Sequence, residues 1–184
     1  MHEDRYRQDD DERRKAQPIA AALVVVLPVA ILVHSWGSLS QWWASNNRDP
    51  IIAEQGAVQR YAGAEWRLTG LSVLPGGAAG RAVVLAEFEA KIEDPASLLE
   101  SPCIVALTDA GGRRWQPRFT SERIVRELRP ESAEKPRCGG LAFEGAQAGA
   151  VARMAETFVV PAKVEGLALS VIMPNALPRN LVLR

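Results

Sequence analysis

Arg81-Ala-Val-Val-Leu-Ala-Glu-Phe-Glu-Ala-Lys-Ile92 is the stretch that settles the fold class. Val84, Ala86, Phe88, Ala90 and Ile92 recur at every second position, with Glu87, Glu89 and Lys91 between them. A period of two belongs to a strand, so the pattern predicts one face on a core and a charged face in water. Before it, Pro75-Gly76-Gly77 supplies a turn. Glu65–Leu74 then reads as another strand, carrying Trp66, Leu68, Leu71 and Val73. Its alternation changes parity at Gly70, which predicts a bulge.

Working outward, Asp94-Pro95 carries helix-start chemistry, a capping carboxylate followed by a proline suited to the first helical position. Cys103–Thr108 and Arg113–Phe119 flank Asp109-Ala-Gly-Gly112 and predict a hairpin with Trp115 and Phe119 on one face. Ser121–Arg137 is polar and predicts a short helix followed by a proline-bearing loop. Strands are expected at Ala155–Val160, Leu167–Met173 and Asn180–Leu183, and Ile51–Tyr61 reads as a short helix leading into the domain. Seven or eight short strands with connections too short for helical crossovers predict an antiparallel β-sandwich, with a small barrel as the alternative.

The second decisive feature is a gap in charge. After Arg13-Arg14-Lys15, no Asp, Glu, Lys or Arg occurs until Arg48, and Ile19–Trp36 is almost wholly apolar. A helix of about 20 residues covers the roughly 30 Å hydrocarbon layer of a bilayer. A transmembrane signal anchor fits this best. A cleaved signal peptide is the second reading and a buried core helix the third. No cysteine lies near the segment's end, which excludes lipoprotein processing. Basic Arg13, Arg14 and Lys15 precede the segment, whereas Trp36, Trp42 and Trp43 follow it at headgroup depth. The expected organisation is a cytoplasmic disordered tail (1–15), a transmembrane helix (16–38), a juxtamembrane linker or short helix (39–60) and an extracytoplasmic sandwich (61–184). This places the chain in the bacterial inner membrane, N-terminus in the cytoplasm, its C-terminal domain periplasmic or extracellular.

Composition narrows the function. The 184 residues carry no formal net charge. After Trp36, 17 basic residues face 16 acidic ones, so no global field favours nucleic acid. The two histidines are His2 and His34, outside the expected domain. This excludes Ser-His-Asp and Cys-His catalysis and histidine-bearing zinc sites within it. No phosphate loop, dinucleotide glycine motif or nucleophile elbow is present, and no cofactor is implied. Glu87 and Glu89 could sit about 6 to 7 Å apart on one strand face, a spacing a glycosidase can use, against the plainer reading of a solvated face. The two cysteines, Cys103 and Cys138, read as one disulfide if the domain is exported, or else as two unpaired thiols. Arginines cluster between Arg113 and Arg129, interleaved with glutamates from Glu122 onward. Arg113, Arg114 and Arg118 precede those acids and are candidate contact residues for lipid phosphates, acidic polymers or a partner's carboxylates.

Three runs carry a resemblance: Cys103-Ile-Val-Ala-Leu-Thr-Asp-Ala-Gly-Gly-Arg-Arg-Trp115-Gln-Pro, Glu156-Thr-Phe-Val-Val-Pro161 and Leu167-Ala-Leu-Ser-Val. Over about residues 60 to 184 the chain resembles the telokin-like immunoglobulin-like domains of bacterial membrane-anchored proteins. Cys103 and Trp115 are similar to the cysteine and core tryptophan of immunoglobulin strands B and C. The resemblance implies an immunoglobulin-like β-sandwich, so the expected fold is mainly β: one N-terminal transmembrane helix, then an antiparallel immunoglobulin-like β-sandwich with one or two short helices. It implies no catalytic residues. The expected function is binding or scaffolding in the cell envelope with a protein partner there, and the alternative is an accessory or sensory subunit signalling through the helix to the tail.

Overall fold

In the computed structural model, which describes residues 24, 26–40, 42–43, 48–75, 80–120 and 122–184, the quoted strand spans Arg81–Ile92 as β4. The chain divides into two units, Met1–Asn46 and Asn47–Arg184. In the first, residues 24, 26–40 and 42–43 are helical, and Val24, Leu27, Ile31, Val33 and Trp36 are each more than half exposed. Among the described residues no helix is long and apolar enough to cross a membrane. The expected tail and Arg13, Arg14 and Lys15 lie outside the described residues, as does the start of the expected anchor.

The second unit is mainly β. One sheet orders β2 (Gln59–Tyr61), β3 (Ala64–Leu74), β4 and β7 (Val151–Pro161). The other orders β1 (Asp49–Ala53), β9 (Arg179–Leu183), β8 (Ala168–Ile172), β5 (Ile104–Thr108) and β6 (Arg114–Trp115). The core lies between them, with Trp66, Leu68, Phe88, Met154 and Phe158 facing Val105, Leu107, Leu169, Val171 and Leu181. Trp66 is fully buried, 6.4 Å from Phe88 and 6.2 Å from Phe143 between ring centres. Its indole N–H donates to the Tyr61 carbonyl at 2.8 Å, so burial leaves no donor unpaired. Tyr61 in turn ties the sheets together: its hydroxyl donates to the Arg179 carbonyl (3.0 Å) and accepts from the Met173 N–H (2.9 Å).

Several expectations hold in detail. The β3–β4 register shifts between Leu68 and Gly70, where the alternation changes parity. Asp94 caps the short helix α1 (Pro95–Glu100), accepting from the Ala96 and Ser97 N–H groups. Other expectations are corrected. Ile51–Tyr61 is no helix: it supplies β1 and β2, so the sandwich takes up chain assigned to the linker. Pro50 is tolerated because β1 is an edge strand. β1 pairs with β9 in parallel, an exception to the antiparallel plan. Among the described residues of this unit four short α-helices, not one or two, decorate the sheets: α1, α2 (Arg123–Leu128), α3 (Pro130–Ala133) and α4 (Gly140–Phe143). Trp66 occupies the core place expected of Trp115, which is half-buried on edge strand β6. β6 stops after two residues, because Pro117 has no N–H for a ladder, and Phe119 is 87% exposed.

The outer face of β4 is divided. Val83 and Leu85 are buried there with Leu74, Ala155 and Val125, forming a second small core under α2. Further along, Arg67–Glu89 and Lys91–Glu65 ion pairs face water.

Candidate functional site

An open groove of about 720 Å³ lies at the outer edge of β7. It is lined by Val83 from β4, Val159 to Pro161 from β7, and Ile124 from α2. Trp115 and Gln116 form one wall, and Arg81, Arg118, Arg123 and Glu122 bring charge to it. Local sequence explains the shape. Pro117 ends β6, and the chain crosses from one sheet to the other, where the Arg118 N–H donates to the Thr157 carbonyl at 2.7 Å.

The three arginines singled out by sequence are separated. Arg118 lines the groove and pairs with Glu122 at 3.2 Å, so it has an acidic neighbour after all. Arg113 belongs to the β5–β6 turn. It pairs with Asp109 at 2.6 Å and lies 5.4 Å from the centre of the Trp115 ring, close enough for a cation–π contact. Asp109 also accepts from the Arg113 backbone N–H at 2.8 Å. Burial pushes the Asp109 carboxyl up, but the bonds from Arg113 outweigh it and hold the group below the ordinary carboxylate range. Arg114 is exposed on β6.

Cys103 and Cys138 form a disulfide. Beside it lies a group that sequence reading missed. Glu156 faces inward on β7 between Met154 and Phe158 and is 2% exposed. It accepts from Arg137 Nε at 3.0 Å and from the Cys138 N–H at 3.1 Å. Burial raises its carboxyl above the ordinary range, and those two donors pull partly back. The signal was an acid at an inward register of an apolar strand. The Glu87–Glu89 pair is engaged in separate ion pairs: Glu87 accepts from Lys135 Nζ (2.6 Å) and Ser132 Oγ (2.7 Å), whereas Glu89 pairs with Arg67.

No family model matches the chain, and no curated protein matches it. Among solved structures it is similar to the yjhA protein from Bacillus subtilis, with 14% identity over 64% of this chain and 78% of that one, TM-score 0.38. A conserved hypothetical protein from Bacillus anthracis shows 11% identity over 65% and 88%, TM-score 0.40. An uncharacterized β-sandwich protein from Clostridium difficile shows 8% identity over 74% and 95%, TM-score 0.35. The two-sheet architecture rests on this chain's own strand pairing.

Proposed function

We propose that this chain is a membrane-anchored, extracytoplasmic binding or scaffolding protein of the bacterial cell envelope, without catalysis of its own. The observation that carries the reading is the Cys103–Cys138 disulfide, since structural disulfides belong to oxidising compartments. Two features support it. The uncharged apolar segment between Lys15 and Arg48 meets the length a membrane span requires. The helical part of that segment turns large apolar side chains outward, which suits a lipid environment better than water. We read the sandwich as immunoglobulin-like, presented outside the membrane by a helix whose basic flank, Arg13, Arg14 and Lys15, stays in the cytoplasm. Tethering then raises the local concentration of the domain for a partner held at the same surface.

The test follows the full chain in intact cells. It is expected to sediment with membranes, resist carbonate extraction and lose its C-terminal domain to protease added outside the cytoplasmic membrane. Cys103 and Cys138 should resist maleimide until reduced. Extraction by carbonate, protection from external protease, or free thiols in cells would each refute the reading.

A further inference from the structure

One wall of the groove is backbone. In β7, the Ala155 N–H donates to the Pro136 carbonyl (3.2 Å) and the Thr157 carbonyl accepts from the Arg118 N–H (2.7 Å). Both groups point away from β4, and alternation along an antiparallel ladder turns the Val159 N–H and carbonyl the same way. Neither Val159 group has a hydrogen-bond partner among the described residues. Pro161, which lacks an N–H, stands at the next outward position, where no donor is needed. The edge of β7 is therefore capped by the chain itself at Ala155 and Thr157 and left open where it enters the groove.

The side chains around this open edge have one dominant sign. Three arginines and one glutamate line the groove. Arg81 has no ion pair among the described residues. Arg118 and Arg123 are held by exposed pairs to Glu122 and Glu127, which are weak and exchange readily for a better-placed carboxylate. Between the charges lie half-buried Ile124 and Trp115, apolar surface that fits alternate side chains of an extended strand.

We propose that the groove takes an acidic extended segment of a partner protein, added as a strand on the β7 edge at Val159 with its carboxylates on Arg81, Arg118 and Arg123. Main-chain bonds supply the docking, as in other strand additions, and the arginines supply sign selection. An anionic polymer without a peptide backbone would use the arginines but neither the open edge nor the apolar surface. The inference rests on the binding reading above and names the partner's chemistry.

The experiment uses the purified full chain in a mild detergent. The probe is a fluorescent peptide of about eight residues, the length of an ordinary strand, alternating glutamate and valine. Its lysine–valine counterpart, a copy N-methylated at alternate backbone nitrogens, and inorganic polyphosphate are the comparisons. The acidic peptide should bind saturably. Its affinity should drop about tenfold or more with Arg81→Glu, and fall again with N-methylation or added salt. Arg81 is exposed on the first residue of β4, and a thermal melt checks that the variant folds. The weaker Arg81→Gln should give an intermediate loss. Equal binding of the lysine peptide, or indifference to Arg81→Glu, overturns the proposal. So does competition by polyphosphate together with indifference to N-methylation, which would mark a simple anion site. Failure here leaves the membrane and protease results standing, and failure of those leaves the peptide affinities as measured.

Discussion

Removing the disulfide should cost this domain about 4 kcal/mol. Cys103 and Cys138 are 35 residues apart. In the chain-entropy model a loop of that size takes about 12 to 13 cal/mol/K from the unfolded ensemble, or about 4 kcal/mol at ~25 °C. The native segment has other holds: Arg137 and the Cys138 N–H on Glu156, and the Pro136 carbonyl on the Ala155 N–H. These keep it in place without the bridge, so the native state should gain little freedom and most of the loss should appear. Urea unfolding of the full chain, followed by emission of buried Trp66 and half-buried Trp115, reads the effect above the background of the exposed Trp36, Trp42 and Trp43. For a denaturant slope of about 2 kcal/mol/M, Cys103→Ser with Cys138→Ser should lower the midpoint by about 2 M. Reductant should do the same to the wild type and nothing to the double variant. A shift under about 0.5 M would mean that the segment frays when cut, or that the unfolded chain is already compact, and would refute the reasoning.

Arg137→Ala leaves the Glu156 carboxylate buried without its charged partner and should destabilise by about 2 to 4 kcal/mol near neutral pH. A carboxyl whose folded pKa is raised contributes stability that is complete below its unfolded pKa and lost as pH rises through the folded one. The Arg137→Ala defect should therefore shrink towards about pH 4, and adding Glu156→Gln should abolish its pH dependence, both read from urea midpoints across pH. Asp109 has the opposite sign: its carboxyl is depressed, so its contribution is present above the ordinary carboxylate range and lost as pH falls through the folded pKa. Asp109→Asn should lower stability at neutral pH and flatten the acid limb of the same curve. Val125→Asp puts a charge into the small core under α2, and limited trypsin digestion should then cut at Arg126 or Arg129 while Trp66 emission stays native.

The legible parts of the fold were those in which neighbours in sequence share one environment. β4 announced itself because its inner face is apolar along its whole length, and the bulge at Gly70 because parity must be restored in the core. The outer face was misread because its environment changes midway: Val83 and Leu85 are dry under α2, whereas Glu89 is part-buried in ion pairs and Lys91 is exposed. β1 could not be seen. Asp49-Pro-Ile-Ile-Ala53 is too short to show a period, and its partner β9 lies at the other end of the chain. For the candidate site, residue type was legible and pairing was not. A turn returns Arg113 onto Asp109, and Arg118 reaches Glu122 four residues on, so two of the three proposed contact arginines already hold carboxylates. Glu156 stood in plain view between Met154 and Phe158, but its partner Arg137 is placed beside it only once the loop ending at Cys138 is folded back.

The parallel pairing of β1 with β9 has a mechanical consequence. Asp49 lies beside Arg179 and Ala53 beside Leu183, so a pull entering at the start of β1 and leaving at the end of β9 drags the strands past each other lengthwise. The evenly spaced bonds of a parallel ladder then share the load at once and must rupture together, where a pull at adjacent ends would peel them singly. A force applied between the start of β1 and the end of β9 thus loads this pair in shear, the direction in which a sheet yields least readily.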